Sequence, residues 1–438
     1  MATEQQKYTI HRLPTPAKDS PKYGRAKNWY QAVSFGFHES RVTEELVDAS
    51  LATLLVDQMV LTGVYQNGEP AAHSLPADVP VATFATFRKS INVGFGQLQD
   101  ALLITDVTVR PTHRRRGLLR GMMLAELERA KDDGLAVAAL TASEGSIYGR
   151  FGFGVTSYER RLKIDTSARF KLRHEATGSV EIVEPKVLLE LAPSIFARVH
   201  RATPGSVDRQ EIYRLRIAGE HGSDGKVDHS IRAAVHYGAD GSPDGYVSYK
   251  FMGWETEPAT MEIVDIVAAT DAAYLELWQF LASIDLVERV VWNQAPIDDP
   301  LAWALTDPRC IKSAGYLDLL WLRILDTQAA LSARRYAVDD RLVIKVEDPL
   351  EFASGLYLLD VNGSVPTVEL ITEADAENGG VVADLELDAS ALASIYLGGV
   401  NPVSLLAAGR LVERTAGAAM RASLLFAVER PVHCLTHF

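Results

Sequence analysis

Cysteine is nearly missing from this sequence: Cys310 and Cys434 are the only two among 438 residues. Neither has a pairing partner nearby, which excludes a disulfide framework and leads us to expect reduced thiols in a cytoplasmic protein. No run of about 18 apolar residues occurs, so no membrane span is expected. The opening stretch MATEQQKYTIHRLPTPAKDSPKYGR lacks the apolar core of a secretory signal. Positive charge is also in short supply, with 44 Lys and Arg against 57 Asp and Glu and a formal net charge of −13. Such a chain offers no broad basic face, which argues against general nucleic-acid binding. What is present is ordinary for a soluble folded protein: 47% hydrophobic and 23% charged residues. The length calls for two or three domains.

Against the acidic background one segment stands apart. Arg110, Arg114, Arg115, Arg116 and Arg120 cluster with His113 and no acid between them. A local positive island in an acidic chain suggests a small polyanion as ligand; a solvated basic turn is the plain alternative. The cluster lies inside LLITDVTVRPTHRRRGLLRGMMLAELERAKDDGLAVAALTASEGSIYGRFGFG, residues 102–154. An apolar strand there runs into a glycine, and a helix over 117–131 follows with Leu119, Met123, Leu127 and Ala130 on one face. No Ser, Thr, Asp or Asn precedes that helix to cap it, and its free N–H groups and dipole favour an anion. Gly134 is placed to end it.

The rest of the pattern divides the chain into three textures. Residues 1–170 alternate strands (8–13, 58–65, 81–87, 98–109, 135–142) with helices (29–37, 44–56), and Gln66-Asn67-Gly68 reads as a hairpin turn. Residues 171–310 look like a second α/β unit, with strands at 233–237, 246–251 and 262–267 and a helix at 272–281. Its strand–helix link, Ala268-Ala269-Thr270-Asp271, has neither glycine nor arginine, so no anion site is expected there. Residues 311–438 read as a separate α+β domain with an antiparallel sheet. Its strands are expected at 317–325, 342–346, 355–361, 367–372, 380–388 and 424–428, and its helices at 327–335, 389–396 and 403–408.

The turn Arg114-Arg115-Arg116-Gly117-Leu118-Leu119 resembles the Arg-x-x-Gly-x-Gly/Ala turn of GNAT-type N-acetyltransferases, which cradles the coenzyme A pyrophosphate. Ser146-Ile147-Tyr148-Gly149-Arg150-Phe151-Gly152-Phe153 falls where such enzymes carry a tyrosine and a Gly-Phe pair. With PTHRRRGLLR, ASEGSIYGRFGFG, DPLAWALTDPR, WLRI (321–324) and IYLGG (395–399), the chain closely resembles the Eis (enhanced intracellular survival) family along nearly its whole length. The resemblance implies two fused GNAT-like mixed-sheet units and a sterol-carrier-protein-like α+β domain. It also implies a homohexamer built as a trimer of dimers, acetyl-CoA as co-substrate, and no metal.

Residue by residue, it implies that Val107, Thr108 and Val109 pair with the pantetheine arm. Arg115, Arg116, Gly117, Leu118, Leu119 and Arg120 form the pyrophosphate turn, and Ser143 and Glu144 line the cofactor further along. Tyr148 would be the general acid, and the α-carboxylate of Phe438 the general base. The chain departs from the family's aminoglycoside-acetylating members at His437 and Phe37, where acids are expected. The acceptor therefore stays open among an aminoglycoside, a cationic peptide, a polyamine-like metabolite and a protein lysine. A lipid- or ligand-binding protein led by the C-terminal domain is the alternative from another class.

Overall fold

In the computed structural model, which describes residues 7–438, the first sheet is assembled from apolar strands that pair antiparallel except at one parallel step. These are β1 (Tyr8–Pro14), β2 (Val60–Gln66), β3 (Ala82–Asn92), β4 (Leu98–Val109), β5 (Val137–Thr141) and β6 (Gly154–Val155). Period-two alternation gives the sheet two apolar faces. Ala85, Phe87 and Leu103 pack with α1 (Tyr23–Gly36) and α2 (Glu44–Val56) through Trp29, Val33, Val47 and Leu51. Phe84, Leu102 and Ile104 pack on the opposite side with Met123, Leu127 and Ala130 of α3 (Leu118–Asp132). The helix ends as its sequence suggests. Gly134 takes φ 79°, and Leu135 N–H reaches back to the Ala130 carbonyl at 2.9 Å.

The second sheet repeats this plan with β7 (Tyr158–Asp165), β8 (Ser179–Val183), β9 (Arg232–Tyr237), β10 (Pro243–Phe251), β11 (Thr260–Ala268), β12 (Arg289–Ala295) and β13 (Ile311–Asp318). Their order is β13-β7-β12-β11-β10-β9-β8. Helix α4 (Leu188–Ala202) covers one face and α5 (Asp271–Ala282) the other. Parallel strands β11 and β12 are joined through α5 just as β4 and β5 are joined through α3.

Strand β14 (Leu320–Ile324) then returns to the first sheet, whose order is β1-β2-β3-β4-β5-β14-β6. A third sheet follows, β17-β16-β15-β18-β19, from β15 (Asp340–Glu347), β16 (Gly355–Asn362), β17 (Val365–Ile371), β18 (Leu385–Asp388) and β19 (Leu411–Glu413). Helix α6 (Ala389–Tyr396) presses it against the first sheet so closely that a Cβ on Gly154 would collide with the Ser390 carbonyl. Leu342, Ile344, Leu359, Leu392 and Tyr396 join Trp29 and Leu103 in one continuous core.

Several expectations need correction. The divisions at 170 and 310 do not coincide with changes of sheet. The chain crosses from the first sheet to the second at Ser157 and back at Leu319, where Leu319 N–H meets the Ser157 carbonyl at 3.0 Å. The single strand expected at 317–325 is thus broken at Leu319, its halves lying in different sheets. The third sheet is mixed, since β15 and β18 run parallel. Gly68 does turn the chain at φ 89°, but it opens a long connection to β3 instead of a tight hairpin. Residues 424–428, expected as a strand, contain the end of α7 (Ala418–Leu425), a helix that packs Ala422 and Leu425 into the core. No helix among the described residues is long and apolar enough to cross a membrane.

Candidate active site

Parallel pairing between β4 and β5 stops at Ile104–Leu140. Beyond it β4 runs on to Val109, still held by β3 on its other side, while β5 ends at Thr141. The strands part, and backbone groups of residues 105–109 lose their β5 partner. Buried peptide groups without partners are costly, so this wedge suits a ligand that carries amides.

At the wide end of the wedge stands the uncapped start of α3. Gly117 occupies the N-cap position at φ 74°, and no side chain caps the helix. The first hydrogen bond within the helix runs from Gly121 N–H to the Gly117 carbonyl at 2.9 Å. The N–H groups of Leu118, Leu119 and Arg120 therefore point outward unpaired by the helix. A Cβ added at Gly117 would meet no protein atom within 4 Å, because the space in front of these donors is open. Arg115 also takes a positive φ of 63°. Arg116 is held by Tyr8 Oη at 2.6 Å and the Thr112 carbonyl at 3.1 Å.

These features line one cavity of about 1090 Å³. All of the residues expected to bind cofactor border it: Val107, Thr108, Val109, Arg115, Arg116, Gly117, Leu118, Leu119, Arg120, Ser143 and Glu144. Thr108 is fixed through its Oγ1, 2.7 Å from Thr83 Oγ1. Glu144 accepts from Ser146 Oγ at 2.9 Å. The equivalent helix start in the second unit is closed: Thr270 caps α5 by accepting from Ala273 N–H at 3.1 Å, and Asp271 follows.

Tyr148 closes a single helical turn, Gly145–Tyr148, after β5. Its ring is buried edge-on to Phe153, with centroids 6.1 Å apart. Burial, and then the charge of Glu144, push its phenol above the usual value, which keeps the hydroxyl protonated near neutrality.

Phe438 lies outside the large cavity and lines a second one of about 630 Å³, together with His437, Thr141, Asp106, Glu159 and Asp318. Tyr148, Val107, Ser143 and Phe37 border both. The chain reaches this place through residues 427–438, which have no helix or strand but are pinned along their length. Thr436 Oγ1 donates to the Val207 carbonyl at 2.7 Å. His437 N–H donates to Tyr213 Oη at 2.6 Å, and its Nε2 meets Glu159 Oε2 at 3.0 Å. Phe438 N–H donates to Thr141 Oγ1 at 3.1 Å, while that hydroxyl donates to a Phe438 carboxyl oxygen. The Phe438 ring packs edge-on against Phe87. An unstructured tail is the usual outcome for terminal residues; here side chains from the first two units hold it.

Sequence reasoning passed over Thr141, Glu159 and Asp106. Thr141 and Glu159 give no local signal, since their roles come from distant segments. Asp106 could have been noticed as the one acid within the apolar run of β4.

Family models agree with this architecture. Acetyltransferase (GNAT) domain models match residues 28–156 and 205–324, and a sterol carrier protein domain model matches 327–435. An uncharacterized N-acetyltransferase of Streptomyces griseus is 33% identical over 93% of this chain and 95% of its own length. The N-acetyltransferase Eis of Mycobacterium tuberculosis is 33% identical over 76% of this chain and 79% of its own. Among solved structures, Eis1 from Mycobacterium abscessus superposes with a TM-score of 0.76 at 26% identity, covering 98% of this chain and 100% of that one. With two acetyltransferase units fused to a sterol-carrier domain and Eis itself among its relatives, the chain belongs to the Eis family of GNAT N-acetyltransferases.

Proposed function

We propose that this enzyme moves the acetyl group of acetyl-CoA to a primary amine by direct attack in a ternary complex. Acetyl-CoA supplies the activated thioester. Backbone groups of Val107, Thr108 and Val109 hold its pantetheine arm in the wedge. Arg115, Arg116, Gly117, Leu118, Leu119 and Arg120 take the pyrophosphate, and Ser143 and Glu144 border the arm further along. The amine enters from the Phe438 side. As its nitrogen bonds to the acetyl carbon and the carbon–sulfur bond breaks, the Phe438 carboxylate accepts the ammonium proton. Tyr148 gives its phenolic proton to the departing sulfur.

The observation that carries this reading is the position of Tyr148, on the wall shared by the basic cavity and the pocket that ends at Phe438. General acid help of this kind is worth ~10²–10⁴ in rate, about 3–5 kcal/mol. By family likeness the acceptor is an aminoglycoside, a polyamine or a lysine side chain. On the same ground the chain assembles as a homohexamer.

Release of CoA thiol from acetyl-CoA with a panel of amines tests the reading. Tyr148→Phe is expected to slow turnover at least a hundredfold without loss of CoA affinity, and removal of Phe438 to slow it as well. Absence of thiol release with every amine would overturn the proposal. Normal turnover without Phe438 would remove the base and leave the enzyme class standing.

A further inference from the structure

Strand β4 carries a single acid in its apolar middle, and the protein itself does not answer that charge. Asp106 and Val107 together oppose Phe84, because the pairing with β3 shifts from Thr105–Ala85 to Thr108–Thr83. Two residues against one make a β-bulge, which bends a strand and re-aims its side chains. Asp106 sits there at φ 53°, a region that non-glycine residues occupy only when their surroundings hold them. Thr83 does the holding: its Oγ1 donates to the Asp106 carbonyl at 2.8 Å.

The bulge brings Asp106 to the pocket of Phe438. The other carboxylates lining that pocket are engaged. Glu159 meets His437 at 3.0 Å, Asp318 accepts from the Trp321 indole at 2.6 Å, and the Phe438 carboxyl group takes the Thr141 hydroxyl. Asp106 has no side-chain hydrogen bond or ion pair among the described residues. Burial and then the charge of Glu39 push its carboxyl up to about 7. Tyr30 of α1 also feels its charge. Among the described residues lining the pocket, Arg161 on its exposed rim is the one Lys or Arg, and His437 faces Glu159.

We propose that Asp106 receives a protonated amine of the acceptor and so selects cationic acceptors, while Phe438 handles the proton of the reacting nitrogen. This rests on the acetyl-transfer reading above and adds to it a residue that determines specificity. A carboxylate left without a donor gains most from a ligand that brings one. The bulge fixes it beside Val107, within reach of an acceptor entering along the Phe438 pocket.

The test is Asp106→Asn, which keeps the shape and tolerates the same backbone angles, with Asp106→Glu as the variant that restores charge. Thiol release is followed with 1,5-diaminopentane, spermidine and benzylamine. For the best of these amines we expect KM to rise tenfold or more in the Asn variant. We also expect kcat within twofold, unchanged CoA affinity, and partial recovery with Glu. In the wild type, acceptor kcat/KM should climb as pH rises through about 7, and the Asn variant should lose that inflection. Stability offers a readout independent of turnover. A carboxyl whose folded pKa exceeds its unfolded one is a growing burden as pH rises between the two. The Asn variant should therefore melt higher than the wild type at pH 8, with the gap narrowing steadily as pH falls towards 4. Unchanged KM together with unchanged melting at pH 8 would overturn the assignment while wild-type turnover keeps the acetyl-transfer reading. A wild type that releases no thiol with any amine would overturn both.

Discussion

Replacing Gly117 with valine separates what the turn does for the fold from what it does for the ligand. At φ 74° a branched side chain is strained, at a cost of roughly 1–3 kcal/mol. No protein atom outside its chain neighbours lies within 4 Å of a Cβ built there, so strain is the main structural penalty and the variant is expected to fold. Binding suffers more. The added methyls are expected to crowd the open space before the Leu118, Leu119 and Arg120 N–H groups, where the proposed pyrophosphate would sit. Losing two hydrogen bonds to charged oxygens, at about 1.5–3 kcal/mol each, removes roughly 3–6 kcal/mol of binding energy. That is a loss of about 10²–10⁴ in CoA affinity. Gly117→Ala shares the strain but adds only one methyl group, and should fall about tenfold. Isothermal titration with CoA, beside thermal melts of all three proteins, measures both effects. A folded valine variant that binds CoA within twofold of the wild type would refute the assignment of this turn.

Two further outcomes follow from the tail. Thr141→Val deletes the hydroxyl that both receives the Phe438 N–H and donates to its carboxyl group. Steady-state kinetics should show kcat down tenfold or more with CoA affinity intact, and equal kcat would mean that the carboxylate needs no fixing. His433 is buried, with burial and then His437 holding its imidazole down to about 4. Its folded pKa lies below the unfolded value of about 6.5, so the protein should lose stability as pH falls between those values. Urea unfolding should register about 3 kcal/mol less stability at pH 4 than at pH 7 from this residue, and His433→Asn should flatten that slope.

The sequence made the catalytic half legible because its signals are local. Glycine, arginines and helical spacing lie side by side from Val107 to Ala130, and the strand–helix–strand unit came out with nearly the right bounds. Continuous apolar runs were harder. LDLLWLRIL at 317–325 marks the crossing at Leu319 only by the lone Asp318, and the break is set by Ser157, in the link between two strands over 160 positions earlier. Residues 424–428 illustrate the ambiguity of short apolar segments between strand and helix. The pinned tail was visible only through family likeness, since Val207, Tyr213, Glu159 and Thr141 meet it solely in three dimensions. The bulge at Asp106 likewise depends on the register of β3, which no single segment encodes.

Strand β14 has a bearing on how this enzyme comes into being. It fills the gap between β5 and β6, so the first sheet stays split until the ribosome has made residue 324. The Phe438 carboxyl arrives later still. Fragments that stop after the second unit's helix α5 would leave β5 with a raw hydrogen-bonding edge and an exposed apolar flank, an invitation to aggregate. The cleft between β4 and β5 thus gains its full sheet only after both acetyltransferase units have been made.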